Sequence, residues 1–373
     1  IEDGGTGRVH DRDEEFIRMW LADMEFATPE FVRDAIKARV DRKIFGYTKD
    51  YTDEHYNAFV SWCRRHYDWS FPRSEMVHAP GVIRALFELV EYLCQPDEKV
   101  LFFTPSYGYF QKAADYNGRE AVYCDLVNNE GYYTIDFADF EAKARDPKAR
   151  LCIFCNPHNP SGRMWTEAEL KRLADICWEN NIYIVSDEIH CDLVRTGRRH
   201  LPLAKVCPDY DHIITCMAPS KTFNLAGLMF ANVIIPNAQV RESWSNRHYG
   251  NENPLSLAAA TAAYTDGDDW LAALKLYLDA NFALVGDYLQ DQLPQAKYRI
   301  PEATYLGWVD ISAYIGSDVF LPLFFARNAG VLLEGGNMFV ANSDSHIRLN
   351  AACPRSMLQE GLRRICQALN NNT

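Results

Sequence analysis

Lys221 stands in Ala218-Pro-Ser-Lys-Thr-Phe-Asn224, directly behind an apolar run that ends at Met217. A lysine held at the end of a buried strand is desolvated. That disfavours its charge, lowers its pKa and leaves an amine able to form Schiff bases with aldehydes. Alone, it reads more readily as a surface-loop lysine. Asp187 narrows the choice. It ends the β-branched run Ile182-Tyr-Ile-Val-Ser186, and a buried carboxylate without a cationic partner is costly. A protonated pyridine nitrogen is one such partner, and an aspartate beside it keeps it protonated; a helix cap or a strand-end turn is the plainer explanation. His190 follows three residues later and reaches the same ligand if the chain bends there.

Three further stretches carry groups suited to that ligand. Asn156-Pro-His-Asn-Pro-Ser-Gly162 contains two Asn-Pro pairs, which fix a rigid extended turn. The Asn159 amide can donate to a phenolate oxygen. Ala79-Pro-Gly-Val-Ile83 opens a helical pattern. Backbone N–H groups at a helix start bind phosphate with the help of the helix dipole, and Gly81 permits close approach. Arg348, in His346-Ile-Arg-Leu-Asn350, is a cation in a strand-like stretch and needs a partner. A guanidinium forks onto a carboxylate, either a ligand's or one within the chain. Arg163 and Arg355 share this chemistry in less telling positions. Cys152 and Cys155 form a Cys-x-x-Cys, but inside the apolar run Leu151-Cys-Ile-Phe-Cys155 with no second such pair. They read as small hydrophobes of a strand, and no metal site is expected.

The elements that must position these groups alternate in type. Strand-like runs over 99–103, 121–126, 150–155, 182–186 and 212–217 alternate with helical patterns over 81–93 and 166–180. The second helix opens on Thr166 with Glu169 three residues on, a capping box. This alternation predicts an α/β fold with a mostly parallel central sheet between helices. Ligands bind such sheets at the carboxyl ends of the strands, where Asn156, Asn159, Asp187 and Lys221 all fall. From about residue 270 a long helix over 269–293 leads into strands and helices of mixed order. The expected organisation is a large α/β domain over 46–268 and a smaller α+β domain, from 1–45 and 269–373, closing over the site.

Composition bounds the alternatives. At 373 residues, 48% hydrophobic and 24% charged, the chain is globular and sized for two domains. A net charge of −13 argues against nucleic acid or a membrane surface as partner and requires local cations for any acidic ligand. No run approaches the ~18 apolar residues of a membrane span, and no basic stretch leads into an apolar one as in a secretory signal. Residue 1 is Ile, so the native start is expected upstream. Eleven cysteines, an odd number scattered through apolar segments, predict reduced thiols and a cytoplasmic location.

Taken together, the motifs resemble those of fold-type I pyridoxal-5′-phosphate (PLP) enzymes of the class I/II aminotransferase superfamily, and most closely the MalY/PatB-type cystathionine β-lyases, or C–S lyases. The markers run along nearly the whole chain: Gly5-Thr-Gly7, Trp20-Leu-Ala-Asp-Met-Glu-Phe26, Gly46-Tyr-Thr48, the Ala79 to Ile83 stretch, Pro105-Ser-Tyr107, Cys155 to Arg163, Ser186-Asp-Glu-Ile-His190, Ala218 to Asn224 and Arg348-Leu-Asn-Ala-Ala-Cys-Pro354. The resemblance implies that Lys221 holds PLP covalently and then moves protons, and that Asp187 pairs with the pyridine nitrogen. It places Asn159 and His190 beside the phenolate oxygen; many aminotransferases have tyrosine where His190 stands. It stacks Tyr107 on the ring and gives the phosphate to backbone groups of Gly81, Val82 and Ile83, with Ser220. Tyr47 reaches the cofactor phosphate of the neighbouring subunit, which makes a homodimer obligatory. Arg348 grips the substrate α-carboxylate, with Asn159 and Tyr47 beside it. Three departures stand out. Ala218 occupies a position where the superfamily often has a phosphate-binding hydroxyl. Glu25 replaces the usual Asp, and Val9-His10-Asp11 lacks the usual Trp; both are expected near the substrate entrance. Tyr109, Phe110, Trp244 and Tyr249 are aromatic candidates for the sulfur-side pocket, with core packing the plainer role for each.

The activity so implied is α,β-elimination from L-cystathionine or cysteine S-conjugates, giving a thiol, pyruvate and ammonia. The alternative is a PLP-dependent aminotransferase acting on an amino acid and a keto acid, because the same residues serve both reactions. A cofactor-binding regulatory protein without turnover is a third reading, against which the joint presence of Lys221, Asp187 and Arg348 speaks.

Overall fold

A computed structural model describes residues 16–50, 52–248 and 250–372. The motifs at 5–7 and 9–11 and the aromatic candidate at 249 lie outside the described residues. In chain order the strands are β1 (Ile17–Arg18), β2 (Met76–Ala79), β3 (Lys99–Thr104), β4 (Ser106–Tyr107), β5 (Glu120–Asn129), β6 (Tyr132–Ile135), β7 (Ala149–Cys155), β8 (Tyr183–Asp187), β9 (Ile213–Met217), β10 (Ala231–Ile234), β11 (Lys297–Tyr298), β12 (Leu306–Asp310), β13 (Val331–Leu332), β14 (Glu334–Gly335), β15 (Phe339–Val340) and β16 (His346–Asn350).

Eight of them form the central sheet, in the order β2-β10-β9-β8-β7-β3-β5-β6. From β9 to β5 all neighbours are parallel. On one side β10 alone runs against them, antiparallel to both β9 and the edge strand β2, and at the other edge β6 is antiparallel to β5. The mostly parallel sheet is as expected. The reversal of β10 was not legible, because Ala231-Asn-Val-Ile234 reads like its parallel neighbours and direction leaves no trace in composition.

The strands are apolar on both sides because both faces are covered. Val100, Phe102, Leu151, Ile153 and Val185 pack on one face with Leu86 and Leu89 of the helix Val82–Leu93. Leu101, Phe103, Cys152, Phe154 and Ile184 pack on the other with Leu170 and Leu173 of the helix Glu167–Glu179. That helix has the expected capping box: Glu169 N–H donates to Thr166 Oγ1 at 3.2 Å, and Thr166 N–H donates to Glu169 Oε2 at 2.7 Å. The period of two along a strand also settles the Cys-x-x-Cys. Residues i and i+3 face opposite ways, so Cys152 and Cys155 lie in different cores. All eleven cysteines are free and buried. Among the described residues no three His, Cys, Asp or Glu side chains group as a metal site.

The smaller unit is an antiparallel sheet, β11-β12-β16-β14. Val285 and Leu289 of the long helix Asp268–Gln292 and Leu358, Leu362 and Ile365 of the helix Arg355–Asn370 share its core. Within the stretch 1–45 expected to belong to this unit, two behaviours appear. β1 pairs with β13, and Met19 packs in this core. The helix Glu30–Asp41 instead buries Val32 against Phe59, Trp62 and Tyr264 of the larger unit. No helix among the described residues is long and apolar enough to cross a membrane.

Gly162 joins the two units. Its carbonyl accepts the Ala303 N–H at 3.0 Å, and its φ is +68°. A Cβ there would overlap Pro301 and lie 3.0 Å from the Ala303 carbonyl. Gly162→Ala is expected to cost more than about 2 kcal/mol through overpacking and left-handed strain, read as a lower urea midpoint. An unchanged midpoint would show that the junction yields freely.

Candidate active site

The carboxyl ends of β7, β8 and β9, the start of the helix Val82–Leu93 and β16 surround a cavity of about 290 Å³. Lys221, Asp187, Asn159, His190, Arg348, Tyr107 and Ser220 all line it, with Gly81, Val82 and Ile83 at one end. Of the site residues expected from sequence, only Tyr47 is elsewhere. It is 96% exposed and is not among the residues that line the cavity.

Lys221 is half-buried, and its Nζ donates to the Ala22 carbonyl at 2.7 Å. Desolvation lowers its pKa; Asp23 opposes that, and the Arg348 charge adds to it. The loop that carries it is pinned from below. Thr222 Oγ1 donates to Asp192 Oδ2 at 2.6 Å, and Asp192 Oδ1 also accepts from Trp62 Nε1 at 2.9 Å and from the Tyr67 hydroxyl. A buried carboxylate with three donors is well satisfied, and it fastens the lysine loop to the helix Glu54–Tyr67. From above, Asn224 clasps the N-terminal segment. Its Nδ2 donates to the Met24 and Phe26 carbonyls at 3.0 Å each, and its Oδ1 accepts the Met24 N–H at 3.0 Å. With Asn350 Nδ2 on the Leu21 and Asp23 carbonyls and the Tyr305 hydroxyl on Ala22 itself, this clasp holds the Ala22 carbonyl against Lys221.

Asp187 is buried and accepts one bond, from the Ile189 N–H at 3.2 Å. Burial is the main cause that pushes its pKa up to about 7. Its neighbour Glu188 anchors the strand end on the far side, accepting from Ser186 Oγ at 2.8 Å, the Leu203 N–H at 3.0 Å and His200 Nε2 at 2.6 Å. His190 is buried, and desolvation lowers its pKa to about 3, with the Lys221 and Arg348 cations contributing. Its imidazole is therefore neutral, and its Nδ1 has no partner among the described residues.

Arg348 is fully buried on β16. Its Nη1 donates to Asn159 Oδ1 at 3.1 Å and its Nη2 to the Trp20 carbonyl at 3.2 Å. The first bond fixes the Asn159 amide so that its NH₂ group points away from the guanidinium. Arg348 also pairs with Glu334, which sits directly opposite it across the β14–β16 ladder. Sequence reasoning missed Glu334. The signal was there: a lone acid inside Val331-Leu-Leu-Glu-Gly335.

At the helix start, Gly81 has φ +96°. A Cβ there would meet only Met229 Cε, at 3.9 Å, so the approach to the helix is open. The Gly81 N–H is already given to the Ala79 carbonyl at 2.8 Å. Val82 and Ile83, first in the helix, are thus the backbone donors that the helix start leaves for an anion. Ala218 is packed in the sheet core, whereas Ser220 lines the cavity and is the hydroxyl available in its place. Tyr107 is half-buried at the cavity wall, and burial raises its phenol pKa. Cys155 lines the cavity too, but burial and the nearby Asp187 charge hold its thiol well up, and an unreactive thiol follows.

The lower-ranked candidates are structural. Arg163 pairs with Glu169 at 2.8 Å and Glu302 at 3.0 Å. Arg355 lies over the Tyr277 ring. Phe110 and Trp244 are core residues, and Tyr109 sits under Lys112. Glu25 forks onto Arg18 at 3.0 Å rather than lining the cavity.

The residues present fit PLP. A desolvated amine suits its aldehyde, a buried carboxylate short of partners suits a pyridinium, and an orphaned neutral imidazole nitrogen beside an oriented amide suits a phenolate. The open helix start suits the phosphate. The charge logic is testable without the cofactor. The Asp187 pKa in the fold, about 7, exceeds the ordinary ~3.9. Its stabilising contribution is present below pH ~4 and lost as pH rises through the folded value. In cofactor-free protein Asp187→Asn should raise stability by on the order of 3 kcal/mol at pH 8, with the gain vanishing toward pH 4 in urea titrations. A pH-independent difference would refute the buried-charge account.

The comparisons agree with this geometry. The family model for aminotransferase class I and II matches residues 18–365. Cystathionine beta-lyase PatB of Bacillus subtilis is 39% identical over 94% of this chain and 92% of its own. Protein MalY of Escherichia coli is 30% identical over 94% and 90%. Among solved structures, the PLP-bound C–S lyase of Staphylococcus hominis in complex with L-cycloserine superposes with a TM-score of 0.94 at 49% identity, covering 96% of this chain and 90% of that one. The PLP-containing cystalysin of Treponema denticola gives 0.92 at 30% identity, covering 100% and 94%. On the family match and the identity to these relatives, the chain belongs to the aminotransferase class I and II family, among its PatB- and MalY-like members.

Proposed function

We propose that the protein is a PLP-dependent carbon–sulfur β-lyase, which eliminates a thiol from L-cystathionine or a cysteine S-conjugate and releases pyruvate and ammonia. The observation that carries this reading is the single cavity in which Lys221, Asp187, His190, Asn159 and Arg348 meet. When bound, PLP supplies an electron sink for the carbanion formed beside the substrate nitrogen.

The chain's own residues do the rest. Lys221 Nζ holds the cofactor and, once released from it, is a base for the substrate Cα proton; desolvation keeps that amine available in its neutral form. Asp187 ionises against a cationic ring nitrogen and holds the proton there. Asn159 Nδ2 and the neutral His190 ring would hold the phenolate oxygen, Tyr107 would pack on the ring, and Val82 and Ile83 N–H with Ser220 would hold the phosphate. Arg348 takes the α-carboxylate and so orients the Cα–H toward the lysine.

Aminotransfer would use the same groups. The lyase reading is favoured because the relatives at 39% and 49% identity are named a cystathionine β-lyase and a C–S lyase, against a structure from Clostridium difficile named a putative aminotransferase at 37% and an aspartate aminotransferase from Sulfolobus acidocaldarius at 24%. A homodimer with shared sites accounts for Tyr47, an almost wholly exposed aromatic that does not line the cavity of its own subunit. A chain of net charge −13 speaks against nucleic acid or membrane surfaces as partners, and eleven buried free thiols suit the cytoplasm.

PLP-loaded protein given L-cystathionine and no keto acid should release pyruvate over many turnovers, and Lys221→Ala should lower that rate by at least about 10³-fold. Amino transfer on adding a keto acid, with no pyruvate before it, would establish the aminotransferase instead. Mixing inactive Lys221→Ala with inactive Tyr47→Ala subunits should restore up to about a quarter of the wild-type activity, because one site in each mixed dimer is then complete. No restoration after subunit exchange would count against shared sites.

A further inference from the structure

Arg348 is already occupied. Its Nη1 donates to Asn159 Oδ1, its Nη2 donates to the Trp20 carbonyl and pairs with Glu334 Oε2, and its Nε has no partner among the described residues. A guanidinium offers a carboxylate two bidentate edges, Nη1–Nη2 and Nε–Nη2. Both edges use Nη2, and both Nη2 hydrogens are engaged. A second carboxylate can fork onto Arg348 only by taking a hydrogen from Trp20 or from Glu334. The Trp20 acceptor is main chain, in a segment tied down next door by the Met19 N–H to the Leu332 carbonyl at 2.8 Å. The Glu334 acceptor is the end of a flexible side chain that itself lines the cavity.

We propose that Glu334 is an internal carboxylate seated in the substrate's place on Arg348, and that an amino-acid substrate binds by displacing it. The proposal rests on the assignment of Arg348 to the substrate α-carboxylate. Glu334 is then a specificity-determining residue. It keeps the buried guanidinium compensated in the empty enzyme, where an unpaired cation would be costly. It also sets a threshold: a ligand must bring a carboxylate able to outcompete a tethered one, so the matching amide gains nothing at this site.

The competition depends on pH. The charged and titratable groups that face Glu334 are Arg348 from β16, Lys221 from the loop after β9 and Tyr107 from β4. Asp187 and Asp23 stand further round the same cavity. Burial raises the Glu334 carboxyl above its ordinary range, against the pull of Arg348 and Lys221. Protonated Glu334 gives up its ion pair and can donate to the incoming carboxylate. Binding of a ligand carboxylate therefore tightens as pH falls.

Propionate is a suitable probe, since it has the carboxylate and lacks the amine that would react with the cofactor. Its inhibition constant would be measured on the PLP-loaded wild type, Glu334→Gln, Glu334→Ala and Arg348→Lys at pH 6 and pH 8.5, with propionamide as control. At pH 8.5 both Glu334 variants should bind propionate roughly tenfold more tightly than wild type, the scale of one charge-assisted contact. The gap should be no wider at pH 6, because any protonation of Glu334 on acidification relieves the competition in the wild type alone. Asp187 is unchanged in these variants, so its own titration cancels in the comparison. Equal or weaker propionate binding by Glu334→Gln and Glu334→Ala at both pH values would overturn the proposal and make Glu334 a residue that merely orients the guanidinium. Unchanged propionate binding by Arg348→Lys would instead overturn the carboxylate assignment beneath it, and the proposal with it.

Discussion

The structure depends on keeping two ionisable groups out of water without giving either a full partner. Asp187 has one backbone donor, and Lys221 has one backbone carbonyl. Each is paid for by the rest of the fold: the parallel strands β7, β8 and β9 that carry the loops, the cores on both faces of the sheet, and the Asp192 and Glu188 anchors beneath them. Unsatisfied polarity on this scale lowers stability, and functional sites are where such a cost is tolerated. A ligand with an aldehyde and a cationic ring nitrogen removes both deficits at once.

The anchors explain why the deficits persist. Asp192 collects Trp62, Tyr67 and Thr222, and Glu188 collects Ser186, His200 and Leu203. Two carboxylates that follow Asp187 closely in the chain each have three donors, while Asp187 itself has one. The small unit contributes in the opposite sense. It delivers Arg348 with Glu334 opposite, so its charge arrives already neutralised. The site is poised at one end and closed at the other, and the Asn159–Arg348 bond links the two.

Much of this was legible in the sequence because strand ends are legible. The runs that end at Cys155, Asp187 and Met217 stop where apolar residues give way to Asn-Pro, Asp-Glu and Pro-Ser, and the chemistry follows each stop. Motif resemblance then gave each group a role. What was not legible depends on pairing across distance. The Glu334–Arg348 pair exists through the β14–β16 register, and β14 is two residues long, too short for any periodicity. The antiparallel β10 looks like its parallel neighbours. The Gly81 N–H turned to Ala79 follows from one dihedral. The helix Glu30–Asp41 buries a single residue, Val32, so its pattern did not reveal which unit it packs on.

The most direct test of the central claim is the stabilisation that PLP gives to wild type and to Asp187→Asn, from urea midpoints at pH 8 with saturating cofactor and without it. If the cofactor is what completes the buried charges, it stabilises the wild type by more than it stabilises the variant, since the variant has no carboxylate to offer the ring nitrogen. Equal stabilisation of the two proteins would mean that Asp187 is not the cofactor's partner, and the account built on that pairing would fall.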